Sequence, residues 1–153
     1  MITQHDIRLA LESDAQSIAC LARDCIEVGL GWTWRPARVL RSMAEPSTNV
    51  AVCRDPRGLA GFGIMKYGDE EAHLLLLAVD ARRRRRGVGS ALVAWLEWSA
   101  RTAGLGVIRL EARCGNPPAL AFYRRLGYRE VVRVPGLYRG LEDGVRLAKD
   151  LWE

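Results

Sequence analysis

The chain has little with which to hold a metal or a disulfide framework. Its 153 residues include four cysteines, Cys20, Cys25, Cys53 and Cys114, with no CxxC pair among them, and two histidines, His5 and His73. Such spacings build no zinc-type cluster, so no metal is expected and the cysteines read as reduced core residues. No apolar run approaches the roughly 20 residues of a membrane span, and the polar start Thr3-Gln4-His5-Asp6 is unlike a secretory leader. A cytoplasmic protein without a membrane partner is the expectation. Internal repeats and low-complexity linkers are also missing. This points to a single domain over residues 1–153, long enough to bury most of its apolar surface without covalent staples. A hydrophobic share of 49% beside 27% charged residues is that of a globular protein and excludes global disorder.

One turn carries the most information. Arg84-Arg85-Arg86-Gly87-Val88-Gly89 joins the apolar run 74–79 to an amphipathic segment beginning at Ser90. Gly87 and Gly89 lack a β-carbon, so the backbone can aim successive N–H groups at one point, where the following helix adds its positive dipole end. Such a point suits a phosphate or pyrophosphate. Two other glycine signatures fail: the third glycine of the dinucleotide fingerprint would fall at Leu92, and the Gly-Lys-Ser/Thr of a P-loop is missing. The five contiguous arginines at 82–86 also fit a nucleic-acid patch or a solvated surface run. That run alone accounts for the net charge of +5. Basic residues concentrated in one turn, rather than spread over a face, give no expectation of a nucleic-acid partner.

Around this turn the elements follow from periodicity and punctuation. A strand at 7–10 leads to a helix capped by Ser13-Asp14, with Ala15, Ile18, Ala19, Ala22, Cys25 and Ile26 on one face. Gly29 and Gly31 end it, and Pro36 opens a second helix after Trp32 and Trp34. The runs 49–54 and 59–66 form a hairpin about Asp55-Pro56-Arg57-Gly58, and 72–79 reads as a strand buried on both faces. A long helix from about 88 to 103 crosses over to a strand at 107–112, placed parallel to the one before. Asn116-Pro117-Pro118 starts the last helix, Gly127 ends it, and strands at 128–134 and 145–151 complete the chain.

This order, with two linked motifs, resembles the GNAT superfamily of acyl-CoA-dependent N-acetyltransferases over roughly residues 7–151. Leu77-Ala78-Val79-Asp80 followed by Arg84-x-x-Gly87-x-Gly89 is similar to its pyrophosphate motif. Asn116-x-x-Ala119-x-x-Phe122-Tyr123-x-x-x-Gly127-Tyr128 is similar to its second signature. The resemblance implies an α/β fold: a mixed, mostly antiparallel central sheet of about seven strands flanked by about four helices. It also implies acetyl-CoA as co-substrate. The backbone of Arg84, Arg85, Arg86, Gly87, Val88, Gly89 and Ser90 would hold the pyrophosphate, and Leu77, Ala78 and Val79 would pair with the pantetheine arm like an added strand. Asn116, Ala119 and Phe122 fall on the same cofactor side, Asn116 also being suited to cap its helix. Arg82 and Arg83 read as solvated.

The resemblance further implies Tyr123 as the general acid that protonates the departing thiolate. For the base, Glu111 comes first. The segment from Leu110 to Tyr123 resembles the bacterial ribosomal-protein alanine N-acetyltransferases, in which a matching glutamate serves twelve residues before the tyrosine, as here. The structural alternative pairs Glu111 with Arg109 or Arg113. His73, at the start of the central strand, is the competing base. Tyr138 matches an aromatic residue lining that branch's acceptor channel, although this chain has Leu137-Tyr138 where the branch carries two tyrosines. Trp32 and Trp34 either wall the acceptor site or staple the first two helices to the sheet, and Cys114 reads as a passive residue. The acceptor is expected to be a peptide or protein N-terminal α-amine, with a small-molecule amine or amino acid as the alternative. A non-catalytic CoA-binding module is the reading from another class, and the protein is expected as a monomer or homodimer.

Overall fold

The computed structural model describes residues 5–152; the polar start at Thr3 and Gln4 lies outside them. The strands are β1 (Ile7–Leu9), β2 (Thr48–Asp55), β3 (Gly58–Tyr67), β4 (Glu71–Val79), β5 (Val107–Arg113), β6 (Arg129–Tyr138) and β7 (Glu142–Asp150). The helices are α1 (Ala15–Cys25), α2 (Pro36–Ala44), α3 (Val88–Thr102) and α4 (Pro117–Arg125). All seven strands form one sheet in the order β1-β2-β3-β4-β5-β7-β6. The pair β4–β5, joined by the α3 crossover, is parallel and its neighbours are antiparallel. This is the α/β architecture that the motifs imply.

Two apolar layers sandwich the sheet. On one face α3 and α4 bury Leu92, Leu96 and Leu120 against Ile108, Leu110 and Leu147. On the other, α1 and α2 bury Ile18, Ala22 and Val39 against Phe62 and Ile64. Each large side chain removed from water in this way contributes about 1.5–3 kcal/mol. No helix among the described residues is long and apolar enough to cross a membrane.

Three expectations need correction. Residues 12–14 form a short 3₁₀ turn, and the Asp14 carboxylate does not cap α1; it accepts from Leu11 N at 2.8 Å and pairs with Arg54 at 2.7 Å and Arg8 at 3.1 Å. A buried carboxylate is better satisfied by two guanidinium groups than by one exposed helix end. Strand β6 runs on through Pro135, which an edge strand tolerates, and β7 begins at Glu142 beyond a tight turn at Arg139 and Gly140, both left-handed. Strand β4 is fully buried at Ala72, Leu74, Leu76 and Ala78 only, with His73, Leu75, Leu77 and Val79 half-buried.

The reason lies in how β4 and β5 part. They pair only from Glu71 to Leu74 against Val107 to Leu110. The β3–β4 register slips between Ile64 and Met65, leaving Leu75 as a bulge, and β5 stays paired with β7 along its whole length. A bulge bends its strand. Beyond Leu74 the sheet therefore splits.

Candidate active site

The split opens a cleft of about 370 Å³. Leu75 and Leu77 line one wall, Glu111 and Arg113 the other, with Cys25 and Ile26 at the end of α1 and Asn116, Ala119 and Tyr123 on α4. Tyr138 and Glu142 close the far side. A second hollow of about 380 Å³ between α4 and β6 includes Cys114 and Leu120 but none of the candidate site residues.

At one end of the cleft the chain leaves β4 and enters α3 through the arginine turn. Arg85 (φ 64°) and Gly87 (φ 81°) are both left-handed, and Gly87 is the residue before the first turn of α3. The amides of Val88, Gly89 and Ser90 have no acceptor within the helix, so the turn is a concave set of N–H donors at a helix N-terminus. A β-carbon on Gly89 would sit 3.2 Å from Phe122 Cζ and 3.5 Å from Val79 Cγ2, so glycine brings the start of α3 against α4 and the end of β4. Asn116 caps α4 by accepting from Ala119 N at 3.3 Å. Ala78 turns its side chain into the α1–α2 core and pairs with Phe62 on β3. His5 Nε2 donates to Arg86 O at 2.5 Å.

The solvated reading of Arg82 and Arg83 is half right. Arg82 is exposed beside Asp80, whereas Arg83 is buried between Asp55 and Asp80. Burial follows from the two carboxylates, which satisfy the guanidinium below the turn.

His73 and Glu111, taken as rival bases, are partners. His73 Nε2 stands 2.6 Å from Glu111 Oε1, from neighbouring parallel strands. Glu111 Oε2 is buried without a hydrogen bond, 3.8 Å from Arg109 Nη1 and 3.9 Å from Arg146 Nε. Burial pushes the Glu111 carboxyl up, but the His73 hydrogen bond and the charges of His73, Arg109 and Arg146 outweigh it and hold it below the usual range. Glu111 lines the cleft; His73 is not among its lining residues. Arg113 is not the partner of Glu111. It donates to Ile26 O at 2.5 Å and Val28 O at 2.8 Å and pairs with Glu142 at 3.3 Å.

Tyr123 projects from α4 with its ring edge-on to Phe122 and Tyr128, and among the described residues its hydroxyl makes no hydrogen bond. Burial pushes its pKa well up, with Tyr138 adding to the effect, so it is a neutral proton donor across the working range. Tyr138 is pushed up to about 12, by burial first and then by Glu111. Trp32 donates its Nε1 to Ala19 O at 3.0 Å, with Arg23 and Arg35 over its ring. Trp34 is buried in the α1–α2 core under Arg38. Neither tryptophan is among the cleft-lining residues, and these contacts are those of staples. The sequence signals singled out neither Arg113 nor the end of α1 as cleft walls, because both depend on where the split falls.

A sheet split at its parallel pair, an amide cradle beyond the split, and a carboxylate and a tyrosine lining one cleft define an acyltransferase of the α/β class. Residues 15–128 match the model of the acetyltransferase (GNAT) family, and the chain belongs to that family. It is an N-acetyltransferase, and the family uses acetyl-CoA. It is 31% identical over 118 residues to the ribosomal protein bS18-alanine N-acetyltransferase of Salmonella typhimurium, covering 75% of this chain and 79% of that one. It is 39% identical over 92 residues to a mycothiol acetyltransferase of Clavibacter michiganensis, covering 58% of this chain but 30% of that protein. Among solved structures, Ard1 from Thermoplasma volcanium superimposes with a TM-score of 0.86 at 28% identity, over 99% of this chain and 100% of the other.

Proposed function

We propose that this protein transfers the acetyl group of acetyl-CoA by direct attack to a peptide or protein N-terminal α-amine. The observation that carries the reading is that Glu111 and Tyr123 line one cleft, from β5 and α4, with the amide cradle at its end. The cradle fits a pyrophosphate: it combines left-handed Arg85 and Gly87 with a helix start that a β-carbon at position 89 would crowd. Arg84, Arg85, Arg86, Gly87, Val88, Gly89 and Ser90 hold it through their backbone, and the free edge of β4 at Leu77, Ala78 and Val79 receives the pantetheine arm.

Glu111 then takes one proton from the acceptor ammonium, directly or through a water, with His73 fixing its orientation. The freed amine forms the N–C bond as the C–S bond breaks. Tyr123 gives its proton to the leaving sulfur and is restored by the second proton that the nitrogen sheds, so each turnover releases one free thiol and one proton. A carboxylate held below its usual range is a modest base. An α-amine of pKa near 8 is roughly one-tenth neutral at pH 7, against well under a thousandth for a lysine at about 10.4, so the α-amine makes the smaller demand. The bS18-alanine acetyltransferase supports the same acceptor class.

The test is a panel of peptides and small amines with acetyl-CoA, monitored by thiol release. Peptides with a free α-amine should turn over and their N-blocked counterparts should not. Turnover of small amines alone would replace the peptide reading with the small-molecule one; CoA binding without thiol release would make the chain a binding module.

A further inference from the structure

Of the five arginines ahead of α3, Arg83 is the one that does not face water, at 4% exposure. Its Nε and Nη2 donate to the two carboxylate oxygens of Asp55 at 2.7 and 2.8 Å, and its Nη1 donates to Asp80 Oδ2. Asp55 ends β2, and its Oδ1 also accepts from Arg57 N at 2.8 Å, in the tight turn into β3. Asp80 follows β4, donates its N to Ala60 O at 2.8 Å and accepts from Arg82 N at 3.3 Å. One guanidinium therefore ties the β2–β3 turn to the first residues of the arginine turn. Its fork is filled by carboxylates, so its side chain is not offered to a phosphate.

An ion pair that buries one partner gives little net stability, because desolvation offsets attraction; the best-attested use of such pairs is to select one geometry. The geometry in question matters two residues on, where Arg85 and Gly87 adopt left-handed conformations and set the direction of the cradle amides. We propose that the Asp55–Arg83–Asp80 clamp is a positioning device for the acyl-CoA pyrophosphate. It pins the turn between β4 and α3 to the β2–β3 hairpin, so the amides are aimed before the ligand arrives. Asp55, which is not among the cleft-lining residues, thereby sets affinity for the co-substrate. This rests on the reading that the cradle binds acetyl-CoA.

The sign of one substitution separates positioning from electrostatics. Asp55→Asn removes a negative charge near an anion site, so a purely electrostatic role predicts tighter binding and a positioning role predicts weaker binding. The experiment measures acetyl-CoA affinity by calorimetry for the parent, Asp55→Asn, Arg83→Met and Arg83→Lys. It also measures kcat/KM with acetyl-CoA and with S-acetylpantetheine, a thioester that lacks the pyrophosphate. Asp55→Asn and Arg83→Met should weaken acetyl-CoA by about tenfold, equivalent to about 1.4 kcal/mol, with kcat/KM for S-acetylpantetheine unchanged and Arg83→Lys restoring part of the loss. Should Arg83→Met fail to fold, Asp55→Asn decides, since Asp55 stands in a surface turn. Unchanged or tighter binding by folded Asp55→Asn overturns the clamp, as does an equal loss with both donors. Gly89→Glu tests the underlying site separately: if that variant binds acetyl-CoA as the parent does, the cradle itself is misplaced and the clamp falls with it.

Discussion

A nitrogen and an oxygen 2.6 Å apart hold a proton between them, so His73 and Glu111 are a hydrogen-bonded pair, and under the proposed reaction they should titrate together. The hydrogen bond from His73 favours the ionised carboxylate and lowers the Glu111 pKa; removing it raises that pKa. His73→Leu should therefore move the acid limb of the kcat/KM profile to higher pH, whereas His73→Gln, whose amide can still donate, should move it less. Glu111→Gln should lower kcat/KM at neutral pH and recover in part as pH rises, because more of the acceptor then arrives neutral. A His73→Leu limb at the parent's position would reduce His73 to packing. For Tyr123→Phe, which keeps the ring and loses the acid, kcat should fall by around a hundredfold with acetyl-CoA binding little changed, as single-turnover measurements would report. Glu111 and Tyr123 were singled out in the sequence by their motif spacing, and the structure places both on the cleft lining. The pairing of His73 with Glu111 was not legible there. Residues 38 apart meet only through the parallel register that sets His73 beside Arg109, and nothing local encodes that register.

Elements, rather than single side chains, frame the mouth of the cleft. Arg113 on β5 holds Ile26 O and Val28 O beyond α1 while pairing with Glu142 on β7, and Arg139 in the β6–β7 turn reaches Glu27 at 3.8 Å. Glu27 in turn accepts from Thr33 N at 2.6 Å and Trp34 N at 2.7 Å. The segment between α1 and α2 and the β6–β7 hairpin are thus fastened across the cleft mouth. Loss of Arg113 leaves two carbonyls and a carboxylate unpaired. A charge-assisted bond of this kind is worth about 1.5–3 kcal/mol, so Arg113→Met should raise the acceptor KM by about tenfold or more while leaving acetyl-CoA affinity at the parent's value. Equal losses on both substrates, in steady-state kinetics and calorimetry, would show a general loosening instead. Element order and helix limits could be read from periodicity. The ends at Asp14 and Pro135 were misjudged because tertiary contacts overrode local rules: two arginines took the capping carboxylate, and an edge position accepted a proline.

Across the whole molecule, carboxylates held below their usual range link the fold to pH. Asp14 resists the upward push of burial through the Leu11 amide, Arg8 and Arg54; Asp55 is lowered by its bond to Arg83; Asp80, pushed up by burial, is brought below normal by Arg82 and Arg83; Glu111 is lowered by His73. In each case the folded pKa lies under the unfolded value of about 3.9 for Asp or 4.3 for Glu. The unfolded chain then binds protons first as pH falls, so the stabilisation is fully present above those values and is lost as pH drops through the lowered folded ones. The Tm should be level from neutrality to about pH 5 and fall below about pH 4. Asp14 offers the sharpest test, since it is buried and its partners lie on β1 and β2. Asp14→Asn should unfold at a lower temperature than the parent at pH 7, and the gap should narrow as pH falls below about 3.9, where the unfolded parent's Asp14 takes up a proton before the folded one does. A gap of the same size at both pH values in scanning calorimetry would mean that the substitution acts through packing, and that the charge of Asp14 contributes nothing to the fold.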